Sequence, residues 1–189
     1  MTDRRRVAAR PDRSVRPAVA EDADAVARIQ VRGIRAAIQA GLGPQGEAPV
    51  LSTGAVRERW RTTLEAAAPS GCHTLVALHG GAVAGFLSCA PGPALGPAPG
   101  DQGDVPAGTD ILALEVLPDF ARSGHASRLL SALVDIARPH VLRVWVTAGD
   151  DAHTRFYQGA GFAPAGLRRR LAVGGRAVTE HLWWSRLSG

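Results

Sequence analysis

The sequence predicts an α/β (α+β) domain: a mixed, mostly antiparallel sheet with a parallel β-α-β core, flanked by helices. Three observations carry this. Ile111–Leu117 is apolar except for Glu115, as suits a strand covered on both faces, and a helical pattern opens at Gly124. Val141–Thr147 then alternates as a second strand, so strand, helix and strand form a crossover unit. The glycine pairs Gly80-Gly81 and Gly174-Gly175 each join two β-rich runs and read as hairpins, which are antiparallel.

In chain order, Arg4 to Arg16 holds part of the basic excess and reads as a solvated arm, with residues 1–13 outside the domain and 14–189 within it. Ser14–Pro17 can form a first strand. Glu21 to about Gln39 is helical, with Glu21, Asp22 and Asp24 in its first turn, where carboxylates complement the dipole. Val26, Ile29, Ile34, Ala37 and Ile38 supply its apolar stripe, and Gly41-Leu-Gly-Pro44 ends it. Thr53 to about Ala67 is a second helix with Val56, Trp60 and Leu64 on one face, Trp60 reading as core packing. Thr74–Leu78 and Ala82–Ser88 are the strands of the first hairpin. Residues 90–109 are crowded with Pro and Gly, have no periodicity, and read as a long loop expected to be disordered. After the crossover unit, a short helix within Asp150–Phe162 ends at Gly159 or Gly161, and Leu167–Val173 with Ala177–Leu187 closes the chain as a hairpin.

Composition bounds the function. A chain of 189 residues, 46% hydrophobic, has enough core for one soluble domain. It holds no run of about 18 apolar residues that would span a membrane. Its opening Met-Thr-Asp-Arg-Arg-Arg lacks an apolar signal segment, so a cytoplasmic location is expected. Cys72 and Cys89 lack zinc-ligand spacing and read as reduced thiols, the histidines are scattered, and no metal site is expected. The charge of +5 and pI near 10.8 raise an arginine-rich nucleic-acid binder as one reading. The distribution disfavours it: every basic residue is Arg, part of the excess lies in the arm, and Arg168-Arg169-Arg170 reads as an exposed strand edge or turn.

The turn after Ile111–Leu117 is the stretch with chemistry in it. A helix starting off a buried strand points unpaired amides and the positive end of its dipole beyond the strand's carboxyl end, where phosphates bind. Gly124 and Ala126 would let an anion approach the backbone, and Arg122, His125 and Arg128 are placed to add charge. A plain turn that needed a glycine remains the other reading.

Pro118-Asp-Phe-Ala-Arg-Ser-Gly-His-Ala126, followed by Arg155-Phe-Tyr-Gln-Gly-Ala-Gly-Phe162, resembles the GNAT superfamily of acyl-CoA-dependent N-acetyltransferases. The resemblance covers the chain beyond the arm. It implies that amides of a Gln/Arg-x-x-Gly-x-Gly/Ala loop hold the pyrophosphate of coenzyme A. Here that loop is Ala121 to Ala126; Gly124 and Ala126 match, and the leading position is Ala121. It further implies cofactor contacts at Val116, Leu117, Arg122, Ser123, Gly124, His125, Ala126, Ser127, Arg128 and Phe156. Asp150 stands where many relatives carry an Asn that meets the pantetheine arm. A main-chain N–H near Val116 would polarise the thioester, and Tyr157 would protonate the leaving thiolate, unless it is simply a core aromatic beside Phe156. The two N-terminal helices would wall the acceptor site.

For the general base, Glu115 is the one charge in an apolar strand, and burial raises a carboxylate's pKa toward neutrality. Asp110 is its rival, on the opposite face unless a bulge intervenes, and a water relay is a third option. The reading is therefore a metal-free transfer from acetyl-CoA to an amine of a small molecule or peptide, with a homodimer left open. The alternative is a catalytically inactive acyl-CoA-binding sensor or scaffold, motivated by Ala121 and Asp150.

Overall fold

The computed structural model describes residues 12–43, 50–96 and 104–187. Seven strands form one sheet: β1 (Arg13–Pro17), β2 (His73–His79), β3 (Ala82–Gly92), β4 (Gly108–Val116), β5 (Val141–Thr147), β6 (Ala163–Val173) and β7 (Arg176–Arg186). Among the described residues four α-helices accompany them: α1 (Ala23–Leu42), α2 (Thr53–Glu65), α3 (His125–Ala137) and α4 (Asp151–Gly159). The spatial order is β1-β2-β3-β4-β5-β7-β6, and every neighbouring pair is antiparallel except β4 with β5.

The alternation of β5 shows how the layers form. Leu142, Val144 and Val146 point to the face covered by α3, where Leu129 and Leu133 are fully buried against Leu75, Leu87 and Leu142. On the other face, Val26 and Ile29 of α1 pack on Val76 and Phe86. Trp60 of α2 stands edge-on to Phe86 with centroids 5.7 Å apart and donates its indole N–H to Gln30 Oε1 at 2.7 Å. Core packing is what Trp60 does. Further along the α1 stripe, Ile34 and Ala37 line a cavity instead of filling the core.

Several expectations shift. Asp22 is buried, held by Arg16 at 2.6 Å and by the Val19 amide at 2.9 Å, so it acts as an anchor as well as an acid near the helix start. Arg13, placed at the end of the basic arm by sequence, is paired in β1, and its Nη1 donates to the Ser123 carbonyl at 2.8 Å. Residues 1–11 of the arm lie outside the described residues. The long loop is shorter than expected, because β3 runs on to Gly92 and β4 starts at Gly108. Its flanks are ordered: Leu95 and Val105 form a bridge, and Val105 is buried with Leu167 and Leu182. Buried Arg143 gives the reason, since its Nη1 donates to the carbonyls of Pro93 at 2.6 Å and Pro106 at 3.1 Å. The tip, 97–103, lies outside the described residues. Arg168, Arg169 and Arg170 lie on the exposed edge strand.

Candidate active site

β4 and β5 pair only from Thr109–Ile111 to Leu142–Val144. Beyond that they part, and residues of α4 enter the gap at the strands' carboxyl ends. One side of the gap is a groove of about 490 Å³ whose lining includes Val116, Phe120, Arg122, Gly124, Ala126 and Phe156. The other is a cavity of about 140 Å³ walled by Gly33 and Ala37 of α1, Trp145 of β5, Tyr157 of α4 and Glu180 of β7. Leu114, Glu115 and His153 line both and stand between them.

The groove is built mainly from backbone. After β4 the chain makes a short turn at Pro118–Phe120, passes through the left-handed region at Arg122 (φ 59°) and Gly124 (φ 80°), and enters α3. Among the described residues no side chain caps α3, so its first amides are left for a ligand or solvent. A Cβ at Gly124 would stand 2.7 Å from Arg128 Nη1, and that guanidinium folds back on the Ser123 and Gly124 carbonyls at 3.3 Å each. The Leu117 amide is already committed to Ala84 O at 2.8 Å.

His125 requires a correction. Its side chain does not add charge to the loop: it is turned inward, 1% exposed, with Nε2 sharing a hydrogen bond with His79 Nδ1 at 3.0 Å. Burial, together with the nearby His79, Arg13 and Arg128, lowers its pKa, so the ring stays neutral. Only its backbone remains available to an anion.

The cavity is built from side chains on distant elements. The Glu115 carboxylate lies against α1 where Gly33 has no side chain; a Cβ there would be 2.3 Å from Glu115 Cδ. Burial raises Glu115, the His153 cation opposes this and Asp150 adds to it, and the pKa stands at about 7. A bulge in β4 skips Leu112 between the pairs Cys89–Ile111 and Ser88–Ala113, which returns Asp110 and Glu115 to one face. Asp110 nonetheless lines neither space: its Oδ1 accepts from Arg143 Nε at 2.6 Å, making it a structural partner of the arginine that pins the loop. The expectation that it rivals Glu115 is corrected on that ground.

Asp150 also differs from expectation. It lines the cavity and not the groove, and its carboxylate caps α4 by accepting from the His153 amide at 3.1 Å and from His153 Nδ1 at 2.7 Å. Tyr157 is 1% exposed and lines the cavity alone, while its neighbour Phe156 lines the groove. Burial first, then Glu115 and Asp150, pushes the phenol's pKa well above its ordinary value.

His153 is the residue the sequence reading missed. Its Nε2 donates to Leu114 O at 3.2 Å and lies 3.8 Å from Glu115 Oε2. Burial works against its charge, but Asp150, Glu115 and the Leu114 carbonyl outweigh it and bring the pKa to about 9. The signal available was its place three residues after an Asp in N-cap position, since capping spacing puts the two side chains together. Among the described residues there is no group of His, Cys, Asp or Glu that could hold a metal, and no helix long and apolar enough to cross a membrane.

The parallel pair thus splays open with the N-terminus of α3 at its mouth. Residues 44–162, more than half of the chain, match the model of the acetyltransferase (GNAT) family. The chain belongs to that family. Solved structures agree on the fold. An N-acetyltransferase from Staphylococcus aureus superposes with a TM-score of 0.64 at 18% identity, over 94% of this chain and 99% of that one. Ribosomal-protein-alanine N-acetyltransferase from Brucella melitensis gives 0.61 at 21% identity, over 92% and 99%. The protein yncA from Salmonella typhimurium, solved with its cofactor acetyl-CoA, gives 0.59 at 19%, over 94% and 95%. No curated protein matches the chain in sequence. This GNAT chain therefore shares the mixed sheet of its family, whose members are generally acyltransferases acting on amines of small molecules or peptides.

Proposed function

We propose that this chain transfers an acetyl group from acetyl-CoA to an amine of a small molecule or peptide in the cytoplasm. The observation that supports this most is the shared partition: a groove reaching from the α3 amides and a small cavity meet at Leu114, Glu115 and His153. A long anionic donor fits the first, and an amine fits the second. The amides from Arg122 to Ser127 would hold the diphosphate, helped by the α3 dipole. Main-chain amides of the splayed end of β4, around Val116, would face the thioester carbonyl and stabilise the oxyanion of the tetrahedral intermediate.

The acceptor amine must be neutral to attack. Glu115, facing both spaces with a pKa of about 7, is suited near neutral pH to take the proton that this nitrogen sheds once it has bonded to the acetyl carbon. The family resemblance gives the thiolate's proton to Tyr157. Calorimetry with acetyl-CoA, run beside a thiol-release assay over a panel of amines, tests the proposal. Saturable binding with amine-dependent thiol release is expected; tight binding without turnover on any amine points instead to an acyl-CoA sensor.

A further inference from the structure

Resting on that reading, we propose that His153, and not Tyr157, is the catalytic residue that gives the departing sulfur its proton, with Glu115 as the group that recharges it. Position separates the two. His153 lines both the groove and the cavity, whereas Tyr157 lines only the cavity, behind the His153 ring, at a centroid separation of 6.3 Å. Hydrogen bonding fixes the charge state. His153 Nδ1 faces a carboxylate oxygen of Asp150 at 2.7 Å and Nε2 faces the Leu114 carbonyl at 3.2 Å. Both partners only accept, so both ring nitrogens carry hydrogen and the ring is an imidazolium.

The Nε2 proton is the transferable one. Nδ1 is tied by a short charge-assisted bond, while Nε2 makes a longer bond to a carbonyl at the point where the strands part. Proton affinities agree with the geometry. Thiols are weak acids of comparable strength, a cysteine thiol titrating near 8.5, so an imidazolium with a pKa of about 9 can donate to a thiolate without a steep gradient. The Tyr157 phenol, pushed up by burial and by two carboxylates, would donate steeply uphill.

An ammonium acceptor first loses one proton to solvent, and the neutral nitrogen adds to the thioester carbon. The C–S bond then breaks, its electron pair staying on sulfur, and His153 Nε2 releases its proton to that sulfur. Glu115 takes the second proton from the nitrogen, now bonded to the acetyl carbon. That proton passes from Glu115 to His153 Nε2, 3.8 Å away, and both groups return to their starting states. The charged and titratable groups facing His153 are Asp150 on its own helix, Glu115 on β4, Tyr157 one turn on, Glu180 across the cavity, and Arg122 and neutral His125 along the groove.

The test uses His153→Gln, Tyr157→Phe and Asp150→Asn in the full chain, with two readouts. The first is the titration of the coenzyme A thiol in its binary complex, followed by thiolate ultraviolet absorbance. An adjacent imidazolium lowers the bound thiol's pKa, so His153→Gln should raise it by about one unit or more, and Tyr157→Phe should leave it in place. The second is kcat against pH for acetyl-CoA. The unaltered protein should lose activity on an alkaline limb with a midpoint near 9. His153→Gln should remove that limb and lower kcat about 10²-fold with the KM for acetyl-CoA within about twofold. Asp150→Asn should move the limb to lower pH, a shift that also decides the matter if His153→Gln fails to fold. An unmoved bound thiol, or a limb that survives in His153→Gln and disappears in Tyr157→Phe, overturns the inference. Absence of thiol release from the unaltered protein on every amine overturns the transferase reading instead, and the thiol titration tells the two failures apart.

Discussion

The groove and the cavity meet at Leu114, Glu115 and His153, yet they are made differently. The groove comes from a single stretch, residues 114–127, with a contribution from α4, and its working parts are main-chain amides held by a left-handed turn. The cavity draws Gly33, Glu115, Trp145, Asp150, His153, Tyr157 and Glu180 from α1, β4, β5, α4 and β7. The difference teaches that a row of exposed main-chain amides is a property of local backbone, whereas a cluster of interacting titratable side chains is a property of packing between distant elements.

The largest effect should come from Gly124→Glu. Its φ of 80° disfavours any side chain, and the new carboxylate would face the α3 amides. Calorimetry should show acetyl-CoA affinity reduced by more than about a thousandfold, equivalent to roughly 4 kcal/mol. Retained binding would place the cradle elsewhere and dissolve the contrast. Glu115→Gln comes next and sharpens it from the cavity side. A drop of about 10²-fold in kcat is expected, with acetyl-CoA affinity within about twofold. Because the Glu115 carboxylate must be ionised to accept a proton, activity in the unaltered protein should rise with pH through about 7, and this limb should vanish in the variant.

Gly33→Ala should cost about tenfold in kcat and about 1–3 kcal/mol in stability, since the methyl group would displace the Glu115 carboxylate. Kinetics and denaturant unfolding measure the two; an unaffected kcat would separate α1 from the chemistry. The smallest effect is on stability against pH. The folded-state pKa of His153 is raised from 6.5 to about 9. Its contribution is therefore complete below about 6.5 and lost as pH climbs through 9. The Tm advantage of the unaltered protein over His153→Gln should shrink progressively as pH rises across that window. A constant difference would mean that the ring's charge is not coupled to folding.

The lesson for reading such chains lies in particular residues. Ile111–Leu117, Pro118-Asp119 and Gly124 are legible because strand, break and helix start are each written in adjacent positions. Val141–Thr147 is legible for the same reason, and its predicted bounds are those of β5. Asp110 was misjudged because neither the Leu112 bulge nor the partnership with Arg143 leaves a periodic trace. His125 sits in a cofactor-loop position by sequence, but His79, on another strand, draws its ring inward. His153 went unnoticed because its importance depends on Leu114 O and Glu115, which reach it only where two strands separate.

The amino-acid order by itself settled the strands, helices and hairpins and the turn before α3, since each of these depends on neighbours within about a dozen positions. Tertiary structure decided which carboxylate faces the gap, which histidine is charged and what anchors the proline-rich connection. Those outcomes depend on burial and on opposing charges brought together from separate elements, and such distances exist only once the sheet has closed over its helices.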